Sequence, residues 1–185
     1  MARPHIHYEA AFEDFLNRRQ WPYVPTDEHR RAVFAGSGVK GFDFLVYPPG
    51  GMNWMVEVKG RKFPYEIGDG KRYWENWVTQ DDLKGLDRWT DAFGEGFQAV
   101  FVFAYWLLDT DVRGLTCPVH EFRDEPYAFL AIPATVYAQH ARRRSPKWDT
   151  VTISQATFRR IVQPIDQFVD APSDSTLQSP ALLCC

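Results

Sequence analysis

The chain has 185 residues, of which 45% are hydrophobic and 16% aromatic, which is enough apolar material for one domain with a substantial core. Its formal net charge of −3 argues against a protein that simply coats DNA, but not against an enzyme that combines a local basic groove with an acidic metal site. No apolar run approaches the roughly 20 residues of a membrane helix, and we expect no secretory leader. The three cysteines make no disulfide framework, so we expect a reducing, cytoplasmic location.

The first predicted element is a helix over residues 7–20, HYEAAFEDFLNRRQ. Its aromatic residues recur at the spacing of one buried stripe: Tyr8, Phe12 and Phe15. Glu9 and Glu13 are four residues apart and therefore share a neighbouring face of the same helix. The segment WPYVP then ends the helix at its proline and is expected to start a strand.

Two apolar runs follow, FDFLVY and NWMVEVKG, and the turn PPGG between them predicts a β-hairpin or a closely linked strand pair. Because strand side chains alternate between faces, Glu57 and Lys59 point one way, while Val56 and Val58 point the other way. Asp43 lies inside the first run. Strand interiors disfavour Asp, Glu and Lys, so three such residues in one strand pair indicate a functional site.

The rest of the chain predicts alternating helices and strands. Residues 60–77 are aromatic and basic without a period, and we expect them to be irregular. A helix is predicted over residues 79–94, with a capping box from Thr79 to Asp82. FQAVFVFAYWLL and YAFLAI predict buried strands, and PATVYAQHA and SQATFRRIV predict two further helices. This order predicts an α/β fold, a single-domain mixed sheet flanked by helices over residues 1–169, and a flexible C-terminal tail over residues 170–185.

One glycine-rich motif is misleading. The segment GSGVKG at residues 36–41 matches G-x-G-x-x-G, but a dinucleotide site needs a helix directly after the glycines. A strand is predicted there instead. We therefore exclude a nucleotide site and expect a flexible loop.

Asp43, Glu57 and Lys59 are the residue types that metal-assisted phosphodiester hydrolysis requires. Carboxylates on adjacent strands are rigid oxygen ligands for Mg²⁺, and an ammonium on the same face can orient the attacking water and offset charge in the transition state. Each residue also has a simpler interpretation. Glu57 and Lys59 could form a surface ion pair worth roughly 0–1 kcal/mol, and Asp43 could cap a turn.

The pattern of Asp43 followed by Glu57-Val58-Lys59 resembles the signature of the PD-(D/E)XK nuclease superfamily. The resemblance implies a restriction-endonuclease-like core, a Mg²⁺ or Mn²⁺ cofactor, and metal ligation by Asp43, by Glu57 and at Val58. It also implies that Lys59 is catalytic. Phe42 stands where the superfamily usually has Pro, which is a chemically neutral departure because Pro is not a ligand.

Further positions match features of this superfamily. Its N-terminal helix often carries a Glu, and Glu9 sits where that residue sits in archaeal Holliday-junction resolvases. Glu13, one turn later, is the second candidate ligand. Gln80 matches a Gln that many members place at the start of the following helix, and it joins the implied catalytic set. HYEAAFE at residues 7–13 also resembles the uncharacterised HYExAFE family, which implies a nuclease-like fold without an established substrate.

Basic residues flank the motif within residues 60–77: Arg61, Lys62, Lys71 and Arg72. We expect them to contact phosphates, with Tyr73 or Trp74 stacking on an unpaired base. The sequence thus predicts a metal-dependent endonuclease acting on nucleic acid, DNA rather than RNA, and compatible with a homodimer. Two alternatives remain open. One is a non-catalytic module on the same fold that binds nucleic acid or protein, and the other is a genome-defence enzyme that needs a partner.

Overall fold

The computed structural model of the chain describes residues 6–26, 32–34, 37–67, 71–108 and 117–169. The predicted tail at residues 170–185 lies outside the described residues. The helices are α1 (Ile6–Arg19), α2 (Gln80–Phe93), α3 (Ala134–His140), α4 (Gln155–Ile161) and α5 (Ile165–Val169). The strands are β1 (Tyr23–Pro25), β2 (Ala32–Phe34), β3 (Ser37–Val39), β4 (Phe44–Val46), β5 (Asn53–Phe63), β6 (Tyr65–Ile67), β7 (Lys71–Tyr73), β8 (Val78–Thr79), β9 (Phe97–Leu107), β10 (His120–Phe122), β11 (Glu125–Pro133), β12 (Arg142–Ser145), β13 (Thr150–Thr152) and β14 (Gln163–Pro164).

A seven-stranded sheet forms the centre of the molecule, with the strand order β1-β4-β5-β9-β11-β10 and β14 paired to β11. Strands β5 and β9 run parallel over eleven residues each, whereas the other pairs in this sheet are antiparallel. The sheet is therefore mixed, as the sequence predicts. The middle of β9 is buried on both faces, which explains its nearly continuous apolar sequence.

Helices cover both faces of the sheet and divide the core in two. On one face, α1 and α5 pack against Val56, Val58 and the other apolar side chains that point toward them. On the opposite face, α2, α3 and α4 pack against Met55, Phe101 and their neighbours. The predicted α/β architecture is thus confirmed. Within the described part of the chain, no helix has the length and apolar character that crossing a membrane would require.

The two helices that frame the candidate site begin as their sequences predict. Helix α1 buries Phe12 completely and Phe15 almost completely. Helix α2 has a capping box, in which the Thr79 side chain accepts from the Asp82 N–H and the Asp82 side chain accepts from the Thr79 N–H. Gly94 follows the last residue of α2, as expected.

Several segments differ from the sequence prediction. Residues 60–77 are not uniformly irregular, because β5 continues to Phe63 alongside its parallel partner β9 and the pair β6–β7 follows. GSGVKG is not simply a loop either, because Ser37–Val39 pairs with Ala32–Phe34. Strand β12 was not predicted, since the sequence RRRS has no apolar alternation. It forms at the edge of a small sheet with the order β12-β13-β8.

Candidate active site

The strand pair β4–β5 brings Asp43 against the middle of β5. Phe44 lies opposite Val56, and the Asp43 N–H donates to the Val56 carbonyl oxygen at 2.8 Å. The Asp43 carboxylate also accepts a hydrogen bond from the Val58 N–H, at 2.6 Å. Asp43 is 7% exposed and Glu57 is 3% exposed. The two acids that the sequence singles out are therefore buried at the same place in the sheet.

Electrostatics indicate that these carboxylates lie close together. Burial raises the pKa of Asp43 well above its usual range, and the negative charge of Glu57 raises it further. The charge of Glu9 acts in the same direction, while the Val58 N–H and Lys59 oppose the shift. Like charges held together in a buried site are the condition under which a hard cation is attracted.

Lys59 reaches the same side of the sheet as Glu57. Its Nζ lies 2.7 Å from Glu57 Oε1 and 2.8 Å from Asp82 Oδ2. A second ammonium, from Lys40, lies 2.6 Å from the same Glu57 oxygen and also contacts Asp82 Oδ1. Two ammoniums and two carboxylates thus alternate in a closed arrangement, the ion-pair ring, formed by Lys40, Glu57, Lys59 and Asp82.

Lys40 was not expected at the site, and two contacts explain its position. Gly85 in α2 faces the Lys40 backbone so closely that an added Cβ would lie 3.0 Å from the Lys40 carbonyl oxygen. The indole Nε1 of Trp89 donates to that same oxygen at 2.9 Å. These contacts fix the Lys40 main chain against α2, from where its side chain reaches Glu57. A glycine in the middle of a predicted amphipathic helix was the available signal of a close approach.

Asp82 was expected only as a helix-capping residue, and the structure gives it a second role. Burial by itself would raise its pKa, but the ammoniums of Lys59 and Lys40 hold the pKa of Asp82 well below its usual range. Burial would likewise lower the pKa of Lys40, but Glu57 and Asp82 raise it above its ordinary value. The Asp82 carboxylate and the Lys40 ammonium are therefore expected to be charged at neutral pH.

A close contact between α1 and β5 places the start of the helix beside this site. Gly60 lies under the ring of Tyr8, and a Cβ added at Gly60 would lie 2.1 Å from Tyr8 Cδ2. Only a residue without a side chain allows the ring to rest on the strand. Glu9, the next residue, is close enough to raise the pKa of Asp43. Glu13 accepts a hydrogen bond from the Tyr23 hydroxyl at 2.8 Å, and Glu9 is the helix carboxylate whose charge acts on Asp43.

Gln80 is the first residue of α2, as the sequence predicts. Its backbone N–H donates to the Asp149 carbonyl oxygen at 2.9 Å, and the residue is half-buried. Gln80 therefore lies two residues before Asp82, at the end of α2 that faces the ion-pair ring.

The predicted phosphate-binding residues occupy different environments. Arg61 is only 9% exposed, and its guanidinium lies 4.1 Å from the centre of the Trp77 ring and donates to the Gly60 carbonyl oxygen at 2.7 Å. These contacts hold Arg61 in the interior, so it is poorly placed to bind phosphate. Lys62 is exposed, with its ammonium 5.4 Å from the Trp106 ring. The side chains of Lys71 and Arg72 lie outside the described residues.

The predicted stacking residues also differ from each other. Trp74 is fully buried and stacks on Phe63 with ring centres 3.8 Å apart. The expectation that Trp74 could stack on a base is therefore wrong, because this indole is part of the core. Tyr73 is half-buried.

The oxygen donors that the site offers a divalent cation are the buried carboxylates of Asp43 and Glu57. Among the described residues, no group of three or more histidine, cysteine, aspartate or glutamate side chains is arranged to hold a metal ion. Asp43 and Glu57 nevertheless fit a hard divalent cation chemically, because both are buried oxygen donors of like charge and Mg²⁺ commonly retains several waters. Glu57 would have to exchange at least one of its two ammonium partners for the cation.

Comparison with solved structures shows which fold surrounds this site. The chain is similar to the structure of Hjc, a Holliday junction resolvase from the archaeal hyperthermophile Archaeoglobus fulgidus, with a TM-score of 0.52 and 13% sequence identity. The similarity covers 89% of this chain and 98% of that chain. The restriction-endonuclease-like fold is thereby confirmed.

Comparisons of sequence give no further assignment. No protein-family model matches the sequence, and no curated protein matches it significantly. The resemblance of residues 7–13 to the HYExAFE family is therefore without support.

Proposed function

We propose that this protein is a metal-dependent nuclease that hydrolyses phosphodiester bonds in nucleic acid, with DNA as its substrate rather than RNA. The observation that carries the proposal is the placement of Asp43, Glu57 and Lys59. Both carboxylates are buried at one point of the sheet, and the Lys59 ammonium touches Glu57. The resolvase-like fold, with Glu9 near Asp43, supports the same interpretation.

The proposed roles follow from the chemistry of each side chain. Asp43 and Glu57 would hold Mg²⁺ or Mn²⁺, with the main chain at Val58 as a further ligand. When bound, the cation would polarise the phosphate and lower the pKa of a water molecule. Lys59, already fixed by two carboxylates, can orient the attacking water and offset the negative charge that develops on the phosphate oxygens.

Two further acidic residues would have supporting roles. Glu9 would add negative charge to the metal position from the start of α1. Asp82 would hold Lys59 in place, because its Oδ2 lies 2.8 Å from the Lys59 Nζ. Asp82 is thus a positioning residue in this proposal, and Gln80 at the start of α2 remains a catalytic candidate.

Purified protein incubated with labelled single-stranded, duplex and branched DNA and RNA, in Mg²⁺, Mn²⁺ or EDTA, tests the proposal. Asp43→Asn, Glu57→Gln and Lys59→Ala should each reduce cleavage by about 10²-fold or more, as expected for lost transition-state interactions. Asp87→Asn is a matched control, because Asp87 is an exposed acid on α2. Removing either site carboxylate should leave metal-free binding unchanged or stronger, since a negative charge near the phosphate is lost.

One observation favours a second candidate, a binding module without catalysis. In the ion-pair ring, two ammoniums already neutralise Glu57 and Asp82. Calorimetry separates the two functions. A nuclease should show Mg²⁺ or Mn²⁺ binding that Glu57→Gln removes. Well-folded protein that cleaves no substrate and shows no such binding would reject the nuclease and favour the module.

A further inference from the structure

A basic hairpin projects beside the start of α2. It consists of β12, the turn at residues 146–149, and β13, and we call residues 142–152 the basic hairpin. Strand β13 pairs with β8, where Thr150 lies opposite Thr79 and Val151 opposite Val78. The turn reaches α2 directly, because the Gln80 N–H donates to the Asp149 carbonyl oxygen at 2.9 Å. The basic hairpin is therefore joined to the end of α2 that carries Asp82.

The charge of this element is opposite to that of the whole protein. Residues 142–149 contain four basic side chains and one acidic side chain, a formal charge of +3, whereas the chain as a whole carries −3. Arg142, Arg143, Arg144 and Lys147 are all exposed. Such a local concentration of positive charge complements a phosphate backbone.

One of these arginines is held by the protein, and this orients the strand. A register shift between Arg143 and Ser145 leaves Arg144 as the extra residue of β12. Its guanidinium lies 5.3 Å from the centre of the Trp77 ring and 3.5 Å from Glu75 Oε1. Because Arg144 is fixed in this way, the neighbouring Arg142 and Arg143 are presented to solvent from an ordered strand.

An exposed tryptophan lies at the turn of the basic hairpin. Trp148 is 68% exposed, although an indole normally gains from burial, and the Lys147 ammonium lies 5.3 Å from the centre of its ring. An aromatic ring on a basic surface is the arrangement that proteins use to stack unpaired bases between phosphate contacts. Charged residues on an edge strand can also serve only to prevent edge-to-edge aggregation, but that role does not require an exposed tryptophan.

We propose that the basic hairpin is a nucleic-acid contact surface, in which Arg142, Arg143 and Lys147 bind phosphates and Trp148 stacks on an unpaired base. The preferred ligand is then a nucleic acid with a single-stranded segment next to the bond that the active site would cleave. The position of the single-stranded segment next to the cleaved bond rests on the proposed nuclease function. Binding itself does not depend on cleavage.

The charge contribution is tested by fluorescence anisotropy with labelled oligonucleotides in EDTA over a series of salt concentrations. Arg142→Gln/Arg143→Gln should weaken binding at least about tenfold near 0.1 M salt and reduce the slope of log K against log salt by about 1 to 2. Arg18→Gln/Arg123→Gln removes the same net charge from exposed positions on α1 and on the β10–β11 turn, and should have little effect.

The stacking contribution is tested by comparing strands of the same sequence. Trp148→Ala should weaken single-stranded binding by about tenfold, the lower part of the range for one stacked base, and leave duplex binding nearly unchanged. In the parent protein, the fluorescence of an oligonucleotide carrying 2-aminopurine should be quenched on binding, and Trp148→Ala should remove part of that quenching. Thermal unfolding should be unchanged, because an exposed side chain contributes little to packing.

Several results would overturn the inference. One is that the parent protein binds no nucleic acid in EDTA. Another is that Arg18→Gln/Arg123→Gln weakens binding as much as Arg142→Gln/Arg143→Gln does. A third is that the hairpin variants aggregate while their monomeric fraction binds nucleic acid normally. Equal losses on single strand and duplex with Trp148→Ala would refute the stacking role. The outcome is separate from the nuclease proposal. If binding depends on the basic hairpin but the parent protein cleaves no substrate, only the nuclease proposal is rejected. If the hairpin variants cleave and bind nucleic acid normally, only the role of the basic hairpin is rejected.

Discussion

Replacing Gly60 with alanine should destabilise the protein, although glycine-to-alanine changes in strands usually do the opposite. A strand glycine commonly lowers stability by roughly 0.5–1 kcal/mol relative to alanine. Here, however, the added Cβ would lie 2.1 Å from Tyr8 Cδ2 and 2.4 Å from Tyr8 Cγ. Because Cγ is attached close to the helix backbone, the clash is not relieved by moving only the end of the side chain. The ring or the first turn of α1 must move.

The size of the effect follows from this overlap. Overpacking of a well-packed core typically costs about 1–3 kcal/mol, and a chain of this length loses about 2–4 °C of melting temperature per kcal/mol. Gly60→Ala should therefore lower the melting temperature by about 2 to 12 °C. Movement of the first turn of α1 would also shift Glu9 relative to Asp43.

A double-mutant cycle measured by thermal and urea unfolding tests the mechanism. Tyr8→Ala alone should be strongly destabilising, since Tyr8 is 8% exposed. In the Tyr8→Ala background, the Gly60→Ala change should cost little or become stabilising, because the overlapping ring is gone. If Gly60→Ala melts at or above the parent temperature, or if its cost is the same without the Tyr8 ring, the proposed contact is not what requires glycine here.

Three further outcomes are expected. Lys40→Met should strengthen Mn²⁺ binding measured by calorimetry, because Glu57 loses one of the ammoniums that compete with the cation. Lys84→Met, at an exposed position on α2, should leave Mn²⁺ binding unchanged, and equal Mn²⁺ affinity of the two variants would refute the competition. Thr79→Ala should lower stability by about 1 kcal/mol and the melting temperature by about 2–4 °C, through loss of the capping box; an unchanged melting temperature would count against it. Burial lowers the pKa of His120, so the folded state takes up protons less readily than the unfolded state and loses stability as the pH falls below about 6.5. His120→Gln should then lose less melting temperature on acidification from about pH 7.5 to 5.5 than the parent, and an equal loss would show that other groups control the acid response.

Much of the fold could be predicted because its elements carry a local signal. Helix α1 has one aromatic stripe, α2 has a capping box, and β9 is apolar nearly throughout because it is buried on both faces. The same local alternation that predicted β5 also predicted that Glu57 and Lys59 share a face, and the two side chains do meet. The strands of the 60–77 segment and β12 were missed, because their pairing comes from partners rather than from their own periodicity.

The local sequence was sufficient to single out Asp43, Glu57 and Lys59 as charged residues at the β4–β5 pair, and to place Glu57 and Lys59 on the same side of the sheet. Long-range packing, by contrast, brings Lys40 to Glu57 and Asp82 to Lys59, although Lys40 and Asp82 are 42 positions apart. It also buries Arg61 against Trp77. The physical reason is the range of the interactions. Alternation along a strand is set by the backbone of neighbouring residues, whereas the ion-pair ring exists because Gly85 and Trp89 allow α2 to approach Lys40 closely. That approach depends on the packing of the whole core, which no local pattern specifies.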